Sequence, residues 1–169
     1  MKKLSIFVLC AVLLLSLIGC VGRTSSNRSV AFFYCTKDID HEGNAGAFGK
    51  ELRNSAAYSE DIELLLNEYL KGPESDGLYS PFPEGSSVKR AKREGNVLTI
   101  YLSSQFDRIP LDRLSLALAC LAQTCFQNTS APVLLLIPDG TFIDGSTNRT
   151  LTADSFMFSD DNTTYLPPQ

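Results

Sequence analysis

The chain has 169 residues, of which 44% are hydrophobic, and its formal net charge is −4. This length suits one domain with a single core. The acidic balance excludes a general nucleic-acid binder, and the single histidine, His41, excludes a multi-histidine zinc site.

The first 19 residues have the pattern of an export signal. Two lysines precede an apolar run from Leu4 to Leu17, which has the length of a secretory signal and is too short for a membrane span. The stretch Leu17-Ile18-Gly19-Cys20 then resembles a bacterial lipobox. We therefore expect cleavage after residue 19 and acylation of Cys20 with chains such as palmitate, which hold the protein on the outer face of the cell membrane. The alternative is an ordinary secreted protein.

The remaining 150 residues divide into three parts by composition. We predict a polar tether at 20–28, a folded domain at 29–150 and a loosely ordered polar tail at 151–169. Without the signal, 13 basic residues stand against 19 acidic ones, so the net charge becomes −6.

Three cysteines remain in the predicted folded domain: Cys35, Cys120 and Cys125. Cys120 and Cys125 fall on one predicted helix and point about 140° apart, which excludes a bond between them. Cys35 could pair with either of them. The favoured interpretation is three small, buried apolar side chains.

The first half of the domain is predicted to contain two strands and a helix. Val30 to Thr36 is rich in aromatic and β-branched residues, which favours a strand, and Phe48 to Arg53 is a candidate short edge strand. Ser59 is the candidate N-cap of a helix that Gly72 and Pro73 end. The apolar stripe of this helix is Ile62, Leu65, Leu66, Tyr69 and Leu70.

A hairpin and a second helix follow. The hairpin strands run over 87–93 and 96–103, and the second strand alternates so that Leu98, Ile100 and Leu102 face one way. The helix starts near Pro110 and ends near Phe126. Its main stripe is Leu111, Leu114, Leu118, Leu121 and Cys125.

Two apolar residues of the second helix, Leu116 and Cys120, fall outside that stripe. The helix therefore either buries more than one face or offers a weakly apolar surface to a partner. Val133 to Ile137 is then a central strand, and the turn Asp139-Gly140 leads into a return strand at 141–143. Together these elements predict an α+β fold in which two helices pack on one face of a small mixed sheet.

Motifs that could support catalysis or metal binding are incomplete. Ser86-x-x-Lys89 matches the S-x-x-K nucleophile motif but lacks its partner motifs. Asp38-x-Asp40-x-Glu42-Gly43 resembles half of an EF-hand loop, yet its twelfth position is Gly49. We therefore predict no catalytic residues, no cofactor and no metal, with His41 on the surface.

Four basic residues cluster on the first strand of the hairpin: Lys89, Arg90, Lys92 and Arg93. They are a candidate surface for anionic headgroups or an acidic partner protein. The alternative is a charged strand edge that discourages aggregation.

Three segments carry a resemblance to a known family. They are Leu70–Pro73 with Leu78–Gly85, then Gly95–Ser103 with Phe106, and then Gln123–Phe126 with Val133–Gly140. In these segments the chain resembles the GerMN domain, also called the sporulation and spore-germination domain, in a single copy. The resemblance implies a ring-building-motif-like fold, export, frequent lipid anchoring and a role in spore formation or germination. It carries over no catalytic residues.

We therefore expect a non-catalytic, lipid-anchored module that docks other envelope or sporulation proteins. Its candidate partner surface is the basic cluster together with Leu116. The alternative is a lipoprotein that binds a small ligand or peptidoglycan, for which Tyr34, Tyr79 and Tyr101 are candidate pocket residues.

Overall fold

A computed structural model describes residues 29–37, 48–54, 61–156 and 163–166. The strands are β1 (Ser29–Thr36), β2 (Phe48–Asn54), β3 (Leu78–Tyr79), β4 (Val88–Glu94), β5 (Val97–Leu102), β6 (Val133–Pro138), β7 (Arg149–Thr152) and β8 (Thr163–Leu166). The helices are α1 (Ile62–Leu70) and α2 (Leu111–Asn128), with 3₁₀ turns at Ser104–Arg108 and Ala153–Phe156. The predicted signal and tether, the acidic loop with His41 and the candidate N-cap Ser59 lie outside these residues.

The described strands form two four-stranded sheets rather than the single small sheet expected from the sequence. The first sheet has the order β3-β1-β2-β8 and the second has the order β4-β5-β6-β7. Both are mixed, because β2 and β8 are parallel, as are β5 and β6, while the other pairs are antiparallel. The predicted α+β class is confirmed, and the prediction of one sheet is wrong.

Helix side chains, and not a strand of the second sheet, pair with the backbone of β1 at Ala31 and Phe33. The side-chain amide of Asn128 on α2 accepts the N–H of Ala31 at 3.0 Å and donates to its carbonyl at 2.6 Å. Thr124 Oγ1 accepts the N–H of Phe33 at 3.0 Å, and the Tyr69 hydroxyl on α1 donates to the Phe33 carbonyl at 2.7 Å. Strand β3 pairs only with Cys35 and Thr36 at the end of β1, and these helix side chains take the place of a neighbouring strand at Ala31 and Phe33.

Side chains of α1 bind the free edge of β4 in the same way. Asn67 on α1 accepts the N–H of Val88 at 2.9 Å and donates to its carbonyl at 3.1 Å. The Glu63 carboxylate accepts the N–H of Ala91 at 2.8 Å. Helix α1 therefore binds β1 of the first sheet and β4, the edge strand of the second sheet, and joins the two sheets.

The main core lies where the inner faces of the sheets meet the two helices. The predicted alternation of β5 is confirmed, because Leu98, Ile100 and Leu102 are all buried. The predicted stripe of α1 is buried apart from Ile62, which is partly buried against the core. Strand β1 contributes Val30, Phe32 and Tyr34, and β6 contributes Leu134 and Leu136.

Helix α2 buries two faces, which is the first of the two alternatives derived from the sequence. Leu114, Leu118, Leu121 and Cys125 pack in the main core. On another side of the helix, a second cluster consists of Cys35, Phe48, Ala119 and Cys120, with Leu116 and Tyr79 partly buried against it.

The expected place of Leu111 in the main stripe is wrong. Leu111 is 64% exposed, because it is the first residue of α2. Phe106 and Ile109, which precede it, are fully buried.

Helix α1 begins and ends through local hydrogen bonds. Its N-cap is Asp61 and not the predicted Ser59, because the Asp61 carboxylate accepts the N–H groups of Glu63 and Leu64 at 2.9 and 3.2 Å. After the helix, Gly72 adopts a φ of 104°, a conformation that favours glycine. The predicted end at Gly72 and Pro73 is therefore confirmed.

The last part of the domain differs from its prediction. The return strand that pairs with β6 is β7, not residues 141–143. Phe142 is buried in the core and its N–H donates to the Ser146 carbonyl at 2.9 Å, so the chain turns inward there before β7. Residues 151–169, predicted as a loosely ordered tail, include the end of β7 and all of β8.

Strand β2 is confirmed as a strand, but it is not an edge. It pairs with β1 on one side and with β8 on the other. No helix within the described residues is long and apolar enough to cross a membrane.

Replacement of Asn128 by alanine tests the helix-to-strand bonds. We expect Asn128→Ala to lower the free energy of unfolding by about 1–3 kcal/mol, because the N–H and carbonyl of Ala31 lose their partner. Urea denaturation monitored by circular dichroism measures this loss. Asn148→Ala is the control, since the side chain of exposed Asn148 bonds its neighbour Thr147 and forms no long-range bond among the described residues. Equal midpoints for the two variants would contradict the assigned role.

Candidate functional site

The second sheet presents an outer face that points away from the core. Residues that lie directly opposite each other on neighbouring strands share a face, so the register of β4, β5 and β6 defines its members. The outer face consists of Arg90, Lys92, Glu94, Val97, Thr99, Tyr101, Val133, Leu135 and Ile137. None of these residues belongs to either core cluster.

The centre of the outer face is apolar and accessible. Tyr101 is 40% exposed, and Val97, Val133, Leu135 and Ile137 are each partly exposed. The sequence analysis did not identify this surface. The available signal was the unbroken aliphatic run of β6, because a strand with apolar residues on both faces has more apolar surface than one core can cover.

Two of the four predicted basic residues border this apolar centre. Arg90 lies opposite Tyr101, and Lys92 lies opposite Thr99. Arg90 has no ion-pair partner in the part of the chain that the structure describes, whereas Lys92 pairs with Glu94. The outer face therefore has an apolar centre and a partly neutralised basic side.

The other two basic residues form contacts of their own. Lys89 lies at an irregularity in the β4 register and pairs with Asp139. Arg93 lies opposite Leu98, and its guanidinium donates to the carbonyls of Gly95 and Ser130 at 3.2 and 3.3 Å. Leu116 belongs to the second cluster on α2 and not to the outer face.

A buried ion pair that the sequence analysis missed lies behind the end of α1. Arg53 and Glu51, whose side chains are 7% and 2% exposed, meet at 2.5 Å between Nε and Oε1. The Arg53 guanidinium also donates to the Gly72 carbonyl at 2.7 Å, and Glu51 Oε2 accepts the N–H groups of Glu74 and Ser75 at 3.0 and 2.9 Å. The available signal was a pair of opposite charges two residues apart on a predicted strand.

The electrostatics of this pair follow from its hydrogen bonds. Burial raises the pKa of Glu51, but the bonds from Ser75 and Arg53 outweigh burial, so the pKa is lowered overall. The Arg53 guanidinium also lies 5.0 Å from the centre of the Phe32 ring, in cation–π range. The Tyr34 hydroxyl lies 2.8 Å from the Tyr69 carbonyl and 3.1 Å from the Gly72 carbonyl. These contacts clamp β2 and β1 to the end of α1.

The residues considered for other chemistry do not come together. Lys89 pairs with Asp139, while the buried hydroxyl of Ser86 has no hydrogen-bond partner among the described residues. Tyr34 is fully buried in the core, Tyr79 lies beside the second cluster and Tyr101 lies on the outer face. The three tyrosines therefore do not line one pocket.

Across residues 29–37, 48–54, 61–156 and 163–166, no group of three or more His, Cys, Asp or Glu side chains is placed to hold a metal ion. Most of the half EF-hand motif lies outside these ranges.

A family model described as "Sporulation and spore germination" matches residues 39–144, which is more than half of the chain. The chain belongs to this family. The GerMN-type assignment made from the sequence is thereby confirmed. This family is not known for enzymatic activity.

A solved structure with a TM-score above 0.5 agrees with this chain at the level of the fold. The tandem GerMN domains of the sporulation protein GerM from Bacillus subtilis superpose with a TM-score of 0.56 and 15% identity, covering 79% of this chain and 48% of that one. This GerMN-type chain thus spans about half the length of the tandem structure. A candidate lipoprotein from Clostridium perfringens has a TM-score of 0.43 and 14% identity, covering 75% of this chain and 89% of that one. No curated protein matches the sequence significantly.

The pH dependence of stability tests the buried pair of this GerMN-type domain. We expect Glu51→Gln to lower the free energy of unfolding at neutral pH by about 3 kcal/mol, because buried Arg53 loses its nearest counter-charge and keeps only the more distant Glu74 and Glu68, at 3.5 and 3.9 Å. The folded pKa of Glu51 lies below its ordinary value of 4.5. Its contribution is therefore complete above pH 4.5 and is lost as the pH falls through the lowered value.

Urea titrations across this pH range measure the difference between wild type and variant. The difference must shrink as the solution becomes more acidic than pH 4.5. Glu84→Gln, at an exposed glutamate, is the control and should follow the wild-type curve. A gap of constant size at all pH values would argue against an ionised Glu51.

Proposed function

We propose that this chain is a non-catalytic, membrane-anchored lipoprotein module that assembles with other proteins during sporulation or spore germination, on the extracytoplasmic face of the cell membrane. The observation that carries the proposal is the family match over residues 39–144. The lack of any converging set of catalytic side chains among the described residues supports a role in binding.

The anchor of the proposed module is Cys20. The lipobox-like stretch Leu17–Cys20 follows a signal-like apolar run, and two or three acyl chains hold a protein on a bilayer durably, whereas one does so only marginally. An anchor at residue 20 leaves the folded domain within a short tether of the membrane.

The docking surface of the proposed module is the outer face, and its partner is a protein that presents an acidic rim around an apolar patch. Charge complementarity supports this choice, because Arg90 and Lys92 stand beside Tyr101 and Thr99, while Arg90 has no ion-pair partner among the described residues. Interfaces commonly combine an apolar centre with a charged rim, and the rim charges control the association rate and the choice of partner.

Replacement of Cys20 tests the anchor. We expect the wild-type chain to carry acyl groups on Cys20 and to partition into detergent, because its chains insert into the bilayer. Cys20→Ala should abolish both properties and release the chain into the medium. Mass spectrometry of the N-terminal peptide and detergent phase partitioning measure the outcome. Cys125→Ala is the control, since Cys125 is buried in the core. An unmodified Cys20 thiol in the wild type would refute the anchor.

Charge reversal tests the docking surface. We expect Arg90→Glu/Lys92→Glu to reduce binding of the authentic partner about tenfold, because two attractive contacts become repulsive. The matched control is Lys71→Glu/Arg108→Glu, which changes the net charge equally at residues that are 71% and 75% exposed. Proteins cross-linked to each variant in sporulating cells are quantified by mass spectrometry.

The protein whose cross-linking falls most in the Arg90→Glu/Lys92→Glu variant is the candidate partner. It is purified, and its affinity for each variant is measured at several salt concentrations. Support requires that its affinity falls with salt and with reversal of Arg90 and Lys92, and that the control retains the wild-type affinity. Equal capture by the two variants would refute the surface. Loss of binding to anionic lipid vesicles, with protein capture unchanged, would assign the surface to the membrane instead.

A further inference from the structure

Two thiols face each other between the first sheet and helix α2. The Sγ atoms of Cys35 on β1 and Cys120 on α2 lie 3.9 Å apart, and both residues are fully buried and reduced. They are separated by 85 positions in the sequence. Cys125, the third described cysteine, lies in the main core and is also reduced.

Neighbouring contacts fix the positions of β1 and α2 on either side of the two thiols. One turn further along α2, Thr124 Oγ1 accepts the N–H of Phe33, two residues before Cys35 on β1, at 3.0 Å. Phe48 lies opposite Cys35 on β2 and belongs to the same cluster. A disulfide has an S–S distance of about 2.05 Å, so each sulfur has to move by about 1 Å toward the other.

The chemical environments of the thiols differ in a way that favours reaction at Cys35. The Cys120 thiol lowers the pKa of Cys35 against the opposing effect of burial, and the Tyr79 hydroxyl and Arg113 lower it further. Burial raises the pKa of Cys120 and of Cys125. Tyr79 is only partly buried and Arg113 is exposed, so this cluster lies near the surface.

We infer that Cys35 and Cys120 form a disulfide when the chain meets an external disulfide oxidant. The Cys35 thiolate attacks a sulfur of the oxidant, which forms a mixed disulfide and releases one thiol. Cys120 then attacks the Cys35 sulfur, forms the internal bond and releases the second thiol. The protein gives up two electrons and two protons, and the oxidant takes both up as two thiols. The inference rests on the proposed function in one respect: the extracytoplasmic location is where the chain would encounter the oxidant.

The bond would tie β1 to α2 across a long closed loop. Long loops give the largest restriction of the unfolded chain. The cross-link would also fix the contact between the first sheet and the helix that joins it to the main core. Outside the cytoplasm, thiol reductants are scarce and disulfides persist. The bond would therefore maintain this contact in an exported domain.

Oxidation of the purified chain tests the inference without reference to a partner or an anchor. The full chain, purified from membranes, is reduced, freed of reductant and exposed to oxidised glutathione. Remaining thiols are then alkylated, and peptides are mapped without reduction. We expect a linked peptide pair containing Cys35 and Cys120, with Cys125 alkylated. Reductant should lower the Tm of the oxidised protein by about 10 °C.

Two variants sharpen the assignment. Cys125→Ala should retain the linked pair, and Cys120→Ala should lose both the pair and the Tm difference. If Cys120→Ala fails to fold, the peptide map of the wild type decides alone. Alkylation of both Cys35 and Cys120 after oxidation, or linkage of Cys125 to either of them, would overturn the inference. Neither result would bear on binding at Arg90 and Lys92, so the two proposals fail separately.

Discussion

The fold depends on the hydrogen bonds by which helix side chains close the open edges of two strands. A buried strand edge must have its N–H and carbonyl groups paired. Asn128, Thr124 and Tyr69 supply these partners for β1, and Asn67 and Glu63 supply them for β4. Helix α1 contributes to both sets of bonds and so links the two sheets through β1 and β4. The sheets meet across a core filled by the helices.

The clamp at Arg53 gives a physical reason for the Gly72-Pro73 segment that carries the family resemblance. The Gly72 carbonyl accepts from Arg53 and lies within reach of the Tyr34 hydroxyl, and Glu51 holds the next two N–H groups. A buried ion pair is weak evidence of net stabilisation, because desolvation offsets its attraction. Here the charged groups bind backbone atoms of a loop as well as each other. The clamp therefore fixes the direction in which the chain leaves α1.

Local patterns in the sequence predicted most elements, because each depends on neighbouring residues. The alternation of Leu98, Ile100 and Leu102 and the stripe of α1 are examples, and both follow from burial on one face. The division into two sheets was not predictable in this way. It depends on Asn128 reaching Ala31, a contact across 97 positions. Polar side chains in a helix give no sign of whether they face water or a strand edge.

The candidate site was predictable only in part for the same reason. A cluster of basic residues is visible in the sequence, but strand alternation places Arg90 and Lys92 opposite Tyr101 and Thr99 and places Arg93 opposite Leu98, while Lys89 lies at an irregularity in the register. The aliphatic residues of β6 suggested a central strand and left open which face would be covered. The inward turn at Phe142 likewise depends on space in the core, which no local pattern reports.

The outer face combines accessible apolar side chains with charged side chains on the neighbouring strand. Directly opposite side chains on a sheet lie about 5 Å apart, so the stems of Arg90 and Lys92 lie beside Tyr101 and Thr99. Such stems cover apolar surface while their charges stay in water, and charges at an edge strand oppose pairing with another sheet. In the proposed complex, acidic groups of the partner would replace water as the neighbours of the two basic groups. The side-chain stems could then move aside and the apolar centre could be contacted. In the proposed docking, the same two side chains would protect the surface of the isolated domain and favour a partner with acidic groups.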